Sequence, residues 1–262
     1  MALDGKTIVV TGSASGIGAE TSELLRKQGA RIIGLDITRE TGNVDEFIHL
    51  DLLDDSSINT AAANLPGAID ALCNIAGLPP GAGRARVIKV NFLGLRRFSE
   101  LAAEKMVEGS AIINMASGAG FGWIDDIERV KKGLALGQEA SLDELEAFCR
   151  EQDISDVFSY LYSKELLIAW TKVTASIWRM KGIRVNSVSP GPVETPILQD
   201  FMDAFGNRAK LDLEEIGRAG TTGDIAPVVS FLCSEAAAWI TGANIAVDGG
   251  LEAERWRQKL GI

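Results

Sequence analysis

Short runs rich in isoleucine and valine alternate along this chain with longer amphipathic stretches. The runs are KTIVVTG (6–12), RIIGLD (31–36), EFIHLD (46–51), IDALCNIAG (69–77), SAIINMAS (110–117), GIRVNSVSP (182–190) and ANIAVDGG (243–250). Most lack strict polar alternation, which is the pattern of strands covered on both faces, as in a parallel sheet. Between the first two runs, Gly16 to Gln28 carries Ile17, Leu24 and Leu25 and stops at Gly29, a residue suited to ending a helix. Strand and helix alternating in this way predict right-handed βαβ units. The fold class expected is α/β: a single Rossmann-type, doubly wound parallel sheet of about seven strands with helices on both faces, spanning 1–262. The rhythm breaks from Gly118 to Ser159. No strand pattern occurs there, but two helix-like pieces do. The second, SLDELEAFCRE (141–151), opens on a serine and carries acidic residues in its first turn, as helix starts do. This stretch is read as a helical insertion at about 118–159.

Composition narrows the classes of function. The 262 residues are 46 % hydrophobic and 24 % charged, enough for one α/β domain with a core that needs neither disulfide nor metal. A net charge of −10 repels phosphate backbones, so no nucleic-acid partner is expected. Cys73, Cys149 and Cys233 stand far apart, and His49 is the lone histidine. None has metal-ligand spacing, so no metal site is expected. The cysteines are read as buried or incidental thiols and His49 as a strand-end residue. The N-terminal MALDGKTIVV lacks a basic head followed by an apolar stretch, and no run of about eighteen apolar residues occurs. The expectation is a cytoplasmic protein without a leader or membrane span.

The first strand runs into TGSASGIG, with glycines at 12, 16 and 18, and a helix follows. A turn without side chains lets the backbone approach a pyrophosphate, and the helix N-terminus supplies N–H donors. Gly12, Ser15, Gly16, Ile17 and Gly18 are therefore candidate cofactor contacts. The second strand ends on Asp36, followed by Ile37 rather than an arginine. A carboxylate there accepts bonds from the adenosine ribose hydroxyls and repels a 2′-phosphate, which predicts NAD over NADP.

The spacing TGxxxGIG resembles that of the short-chain dehydrogenase/reductase family, and the resemblance runs over nearly the whole chain. Asp51 and Leu52 resemble the family's adenine-contacting pair. Asn74-Ile75-Ala76-Gly77 resembles its NxAG turn, where Asn74 also serves to lock the turn to a neighbouring strand. Pro190 and Gly191, with Val193 and Thr195, resemble its PGxxxT segment beside the nicotinamide. The resemblance implies an NAD-dependent oxidoreductase that moves a hydride between cofactor and an alcohol or ketone.

Tyr160 and Lys164 form YxxxK in LYSKELLIAWTKV, and residues four apart share a helix face. A tyrosine near pKa 10 is a poor base at neutral pH; a lysine cation beside it is expected to favour the phenolate. Tyr162 has no lysine at i+4 and is read as packing or substrate-facing. Ser117 either steadies the reacting oxygen, as the family implies, or caps the turn after its strand. Asn91, in VNFLG, either holds a water joining Lys164 to solvent, as the family implies, or bonds nearby backbone. A non-catalytic dinucleotide sensor would use the glycine loop and Asp36 equally well but has no use for these four together.

Ser117 and Tyr160 stand 43 residues apart, a longer connection than in most of the family. Its Phe121, Trp123, Phe148 and Phe158 either wall an apolar pocket or pack on one another. The resemblance is strongest to the branch that handles bulky, largely apolar alcohols. It implies a small hydrophobic or aromatic alcohol (coniferyl-alcohol-like), or a 3α-hydroxysteroid or other ketone in the alternative reading. The family also implies a homo-oligomer, a dimer or tetramer. The stretch from Pro192 to Arg218, containing TPILQDFMDAF, is placed at the cleft edge and expected to close over it.

Overall fold

The computed structural model describes residues 3–39 and 42–262; Met1 and Ala2 of the leader reading lie outside it. The Ile- and Val-rich runs form β1 (Thr7–Thr11), β2 (Arg31–Asp36), β3 (Glu46–His49), β4 (Ile69–Asn74), β5 (Met106–Met115), β6 (Arg184–Pro190) and β7 (Asn244–Val247). All pair in parallel in one sheet of order β3-β2-β1-β4-β5-β6-β7. The helices are α1 (Gly16–Lys27), α2 (Asp55–Asn64), α3 (Arg84–Ile88), α4 (Leu95–Ala103), α5 (Ile127–Leu134), α6 (Leu142–Glu151), α7 (Asp156–Met180), α8 (Leu198–Phe205), α9 (Asn207–Ile216), α10 (Thr222–Cys233) and α11 (Leu251–Leu260).

Successive strand residues point to opposite faces, so each run feeds two cores. Val9, Ile33, Leu72 and Ile112 pack with Phe92, Phe98 and Leu167 on one face. Ile8, Val10, Ile32 and Ile113 pack with Leu25, Ile225 and Val229 on the other. Each such side chain, fully buried, contributes roughly 1.5–3 kcal/mol. The chain adds β2 and β3 on one side of β1, then crosses to place β4 on the other. That reversal leaves a crevice outside the carboxyl ends of β1 and β4.

Several expected boundaries move. β3 ends at His49, which is exposed, and β4 at Asn74; the residues beyond turn away to build loops. β5 begins four residues early, at Met106, where Glu108 and Gly109 interrupt the apolar pattern and the pairing with β4 shifts register between Ile69 and Ala71. The 118–159 stretch is strand-free as expected, but it holds a 3₁₀ turn (Gly118–Ile124) ahead of α5 and α6. The predicted start of α6 is a reciprocal cap: Ser141 receives the Glu144 N–H while the Glu144 carboxylate receives the Ser141 N–H. Cys73 and Cys149 are buried, and the Cys73 and Cys233 sulfurs meet at 3.5 Å across 160 residues of sequence. No helix among the described residues is long and apolar enough to cross a membrane.

Candidate active site

The carboxyl edge of the sheet opens on a cleft of about 470 Å³. Nearly every residue singled out by sequence lines it: Gly12, Ser15, Gly16, Ile17 and Gly18 after β1; Asp36 at the end of β2; Asp51 and Leu52 after β3; Ala76 and Gly77 after β4; Ser117 after β5; Tyr160 and Lys164 from α7; and Pro190, Gly191, Val193 and Thr195 after β6. Asn74 and Asn91 do not line it and stand behind its wall.

The glycine loop is packed against itself. A Cβ on Gly18 would lie 2.0 Å from the Gly12 carbonyl oxygen, so α1 can start this close to β1 only with glycine there. Ser15 is the N-cap of α1, yet its side chain makes no capping bond. The Thr11 hydroxyl receives the Ile75 and Ala76 N–H groups at 3.0 and 3.2 Å, tying the first loop to the one after β4. Asn74 donates to the Ser99 hydroxyl and to Asn114 Oδ1 at 2.8 and 2.9 Å, locking its turn to α4 and β5. Asp36 is held in the crevice by the Ala14 and Thr38 N–H groups at 3.1 and 3.0 Å, with Ile37 exposed beside it. A side-chain-free cradle, a helix N-terminus and a fixed carboxylate fit a nicotinamide dinucleotide. Among the described residues, no group of three or more His, Cys, Asp or Glu is placed to hold a metal.

At the other end, Ser117, two residues past β5, is extended and accepts the Ala119 N–H at 3.2 Å, so it caps the 3₁₀ turn. Its hydroxyl and the Tyr160 phenol line the same cleft. Burial pushes Tyr160 up to about 12, with the Ser117 hydroxyl pulling it back. Burial likewise pulls Lys164 down to about 8. Lys164 donates to the Met115 carbonyl at 2.8 Å, with its Nζ 5.5 Å from the Tyr160 ring centre. Burial is the larger influence on Tyr160, because the pair sits on α7's buried face. A Cβ on Gly120 would meet the Lys164 backbone at 2.6 Å, so that glycine lets the 3₁₀ turn lie flat on α7.

Asn91 falls in a π-helical stretch, Lys89–Gly94, between α3 and α4. Its amide accepts the Leu78 N–H at 2.7 Å and donates to the Leu78 carbonyl and the Ser163 hydroxyl at 3.1 and 3.3 Å. Its side chain thus joins the turn after β4 to α7. Tyr162 is packing: fully buried, it donates to the Arg129 carbonyl at 2.7 Å. Phe148 and Phe158 stack on it, each at 6.3 Å, and Phe121 and Trp123 pack on the same core. None of these four walls the cleft.

The wall opposite Tyr160 comes from elsewhere. The 192–220 excursion leaves and returns through a bridge between Val193 and Gly220, and α8 and α9 lie along the cleft between. Phe201 meets the Tyr160 ring edge-on at 4.9 Å and stacks on Phe205 at 6.2 Å. Leu198, Met202, Arg208, Asp212, Leu251 and Arg255 complete this side. The signal for α8 was present: apolar residues at 197, 198, 201, 202 and 205 form one helical stripe, and none of α8 is buried. Arg255 on α11 carried no such signal.

Fold and site together are those of a dehydrogenase that holds a dinucleotide across a doubly wound sheet, and the chain belongs to the short-chain dehydrogenase/reductase family. Residues 6–125 match the family model described as short chain dehydrogenase, and residues 127–252 match that described as enoyl-(acyl carrier protein) reductase. The chain is 40 % identical over 253 residues to a coniferyl-alcohol dehydrogenase of Pseudomonas sp., covering 96 % of this chain and 98 % of that protein. It is 30 % identical over 255 residues to a 3-alpha-hydroxysteroid dehydrogenase/carbonyl reductase of Comamonas testosteroni, covering 94 % and 96 %. The crystal structure of a 3-alpha-hydroxysteroid dehydrogenase from Pseudomonas sp. B-0831, complexed with NADH, superposes with a TM-score of 0.81 at 28 % identity, covering 95 % of this chain and 98 % of that one.

Proposed function

We propose that this protein is an NAD-dependent oxidoreductase that interconverts a bulky hydrophobic or aromatic alcohol, of the coniferyl-alcohol type, and its carbonyl. The observation that carries the reading is the convergence of Ser117, Tyr160 and Lys164 on one cleft whose facing wall is Phe201, Phe205 and Met202. Bound, the nicotinamide dinucleotide supplies the hydride acceptor or donor. The Gly12–Gly18 loop and the N-terminus of α1 take its pyrophosphate, Asp51, Leu52, Ala76 and Gly77 line its adenosine end, and Pro190, Gly191, Val193 and Thr195 flank its reacting end. The fixed Asp36 carboxylate favours NAD by repelling a 2′-phosphate.

In reduction, the Tyr160 phenol donates its proton to the carbonyl oxygen; a hydroxyl pushed up to about 12 is already protonated at neutral pH. Ser117 holds that oxygen by a second hydrogen bond. In oxidation Tyr160 serves as phenolate and takes the alcohol proton, which higher pH favours. Lys164, when charged, stabilises that phenolate. Asn91 acts behind the site, holding the Leu78 turn beside Lys164. A homo-oligomer, dimer or tetramer, accompanies this reading; Val173, Ile177 and Met180 form an exposed apolar stripe on α7 in keeping with it.

The test is absorbance at 340 nm with NAD and, in parallel, NADP. The alcohols are coniferyl and cinnamyl alcohol, a 3α-hydroxysteroid and simple secondary alcohols, near pH 9. Turnover of aromatic alcohols with at least about tenfold preference for NAD is expected. Turnover confined to the steroid selects the hydroxysteroid reading, and silence across the panel with NADH still bound favours a non-catalytic sensor.

A further inference from the structure

The cleft changes character along its length. Next to the Tyr160 hydroxyl the wall is aromatic, passing from Phe201 to Phe205. Beyond Phe205 the chain turns at Gly206 into α9, and the wall becomes charged. Arg208 lines the cleft there, exposed, and makes no hydrogen bond or ion pair with any described residue. Asp212, one turn further along the same helix, is the nearby carboxylate in sequence. It is already taken by Arg255 of α11 at 2.8 Å, and both side chains are less than a third exposed. That pair is neutral, so the guanidinium of Arg208 is left uncompensated.

Arg86 also lines the cleft without a partner, but at a different place. It lies one helical turn before Val90 and two before Gly94, whose missing Cβ allows contact with the Leu52 carbonyl. That puts Arg86 on the wall shared with Asp51 and Leu52, the adenosine end. Arg208 follows Phe205 by three residues, on the same 192–220 excursion whose Phe201 meets Tyr160.

We propose that Arg208 binds a carboxylate at the end of the substrate remote from its reacting carbon. The substrate is then an aromatic or alicyclic alcohol or ketone that carries an acid group. The inference rests on the alcohol–carbonyl reading of the cleft and deepens it. A guanidinium presents a planar fork that matches a carboxylate in two parallel hydrogen bonds. It also answers an electrostatic problem: a protein of net charge −10 repels an anionic substrate unless a local cation draws it in. The aromatic wall between Tyr160 and Arg208 suits the ring or chain that would join the two ends.

The experiment compares 4-(hydroxymethyl)cinnamate with its uncharged primary amide, which has nearly the same shape. Binding of each to the NADH-loaded protein is measured by calorimetry, and turnover of each with NAD is followed at 340 nm. The wild type is expected to bind the acid at least about tenfold tighter than the amide, the scale of a charge-assisted pair. Arg208→Gln should bring the two within about threefold, Arg208→Lys should keep part of the preference, and the affinity for NADH should not change. Equal binding of acid and amide by the wild type overturns the proposal, as does a preference that survives Arg208→Gln. Weakened NADH binding in Arg208→Gln would assign the arginine to the cofactor's pyrophosphate and also overturn it. Turnover of both compounds without acid preference removes this proposal and leaves the dehydrogenase reading intact. An Arg208-dependent acid preference without turnover of either supports the carboxylate site and counts against the alcohol reading.

Discussion

Burial acts in opposite senses on the two ionisable groups of YxxxK. For Lys164 it lowers the ordinary value of 10.5 to about 8. Between these values the unfolded lysine is protonated while the folded one is not, so stability rises with pH from about 8 to 10.5 and is lowest below 8. Lys164→Met has no charge to bury. It should gain stability relative to wild type at pH 7, by ~3 kcal/mol at most, and lose that advantage by pH 10. Urea denaturation of both proteins at the two pH values measures the gap; a gap independent of pH would mean that Lys164 is not desolvated in the fold. Tyr160 moves the other way, up to about 12, and its hydroxyl is the proposed proton carrier. Tyr160→Phe should fold, bind NADH and lose turnover by about 10²–10⁴-fold. Turnover within tenfold of wild type would remove Tyr160 from that role. The pairing of Tyr160 with Lys164 was legible in sequence because i, i+4 spacing is local. The sign of the Tyr160 shift was not, because it depends on how deeply α7 is buried.

At the scale of elements, the 3₁₀ turn that begins after Ser117 and the following α5 are fastened to α7. Arg129 on α5 pairs with Glu165 at 3.1 Å, with side chains 24 % and 5 % exposed, and its guanidinium lies 4.7 Å from the centre of the Phe158 ring. Burial raises the Glu165 carboxyl, and Arg129 pulls it back. Removing only the arginine leaves a buried carboxylate without its partner. Arg129→Ala should therefore cost about 3 kcal/mol, whereas replacing both residues by leucine should cost less. The single variant should also recover part of its stability as pH falls and the raised Glu165 carboxyl takes up a proton. Urea midpoints of the three proteins decide this; a double variant as unstable as the single would show that packing, not charge, joins α5 to α7. Nothing in the sequence pairs residue 129 with residue 165. The strand-free character of 118–159 and the start of α6 were readable because they rest on local pattern and capping. The partner of each aromatic ring in that stretch depended on how α5 and α6 dock, and they dock on the core side.

For the whole molecule, the cradle and Asp36 make cofactor binding a stabilising linkage. A ligand that binds only the folded chain, at a hundred times its dissociation constant, adds about 2.7 kcal/mol. For a protein of 262 residues that corresponds to roughly 5–10 °C in Tm. Saturating NADH should raise Tm by this amount, and NADPH at the same concentration should raise it far less. An equal shift with NADPH would overturn the role given to Asp36, and no shift with either would overturn the cradle.

Local physics made much of this protein readable from its sequence. Short Ile- and Val-rich runs bounded by turn residues favour strands of a covered sheet, glycines at 12, 16 and 18 permit a tight strand-to-helix turn, and Tyr160 and Lys164 share a helix face whatever surrounds them. These are properties of neighbours within a few residues. The tertiary structure decided what depends on distant segments meeting. Cys73 lies against Cys233, the Asn91 amide meets the backbone of Leu78, and burial raises Tyr160. The far wall of the cleft is assembled from α8, α9 and α11, segments up to a hundred residues from the motif they face. Which residues share that wall is fixed by how the helices pack, and packing has no period in the sequence.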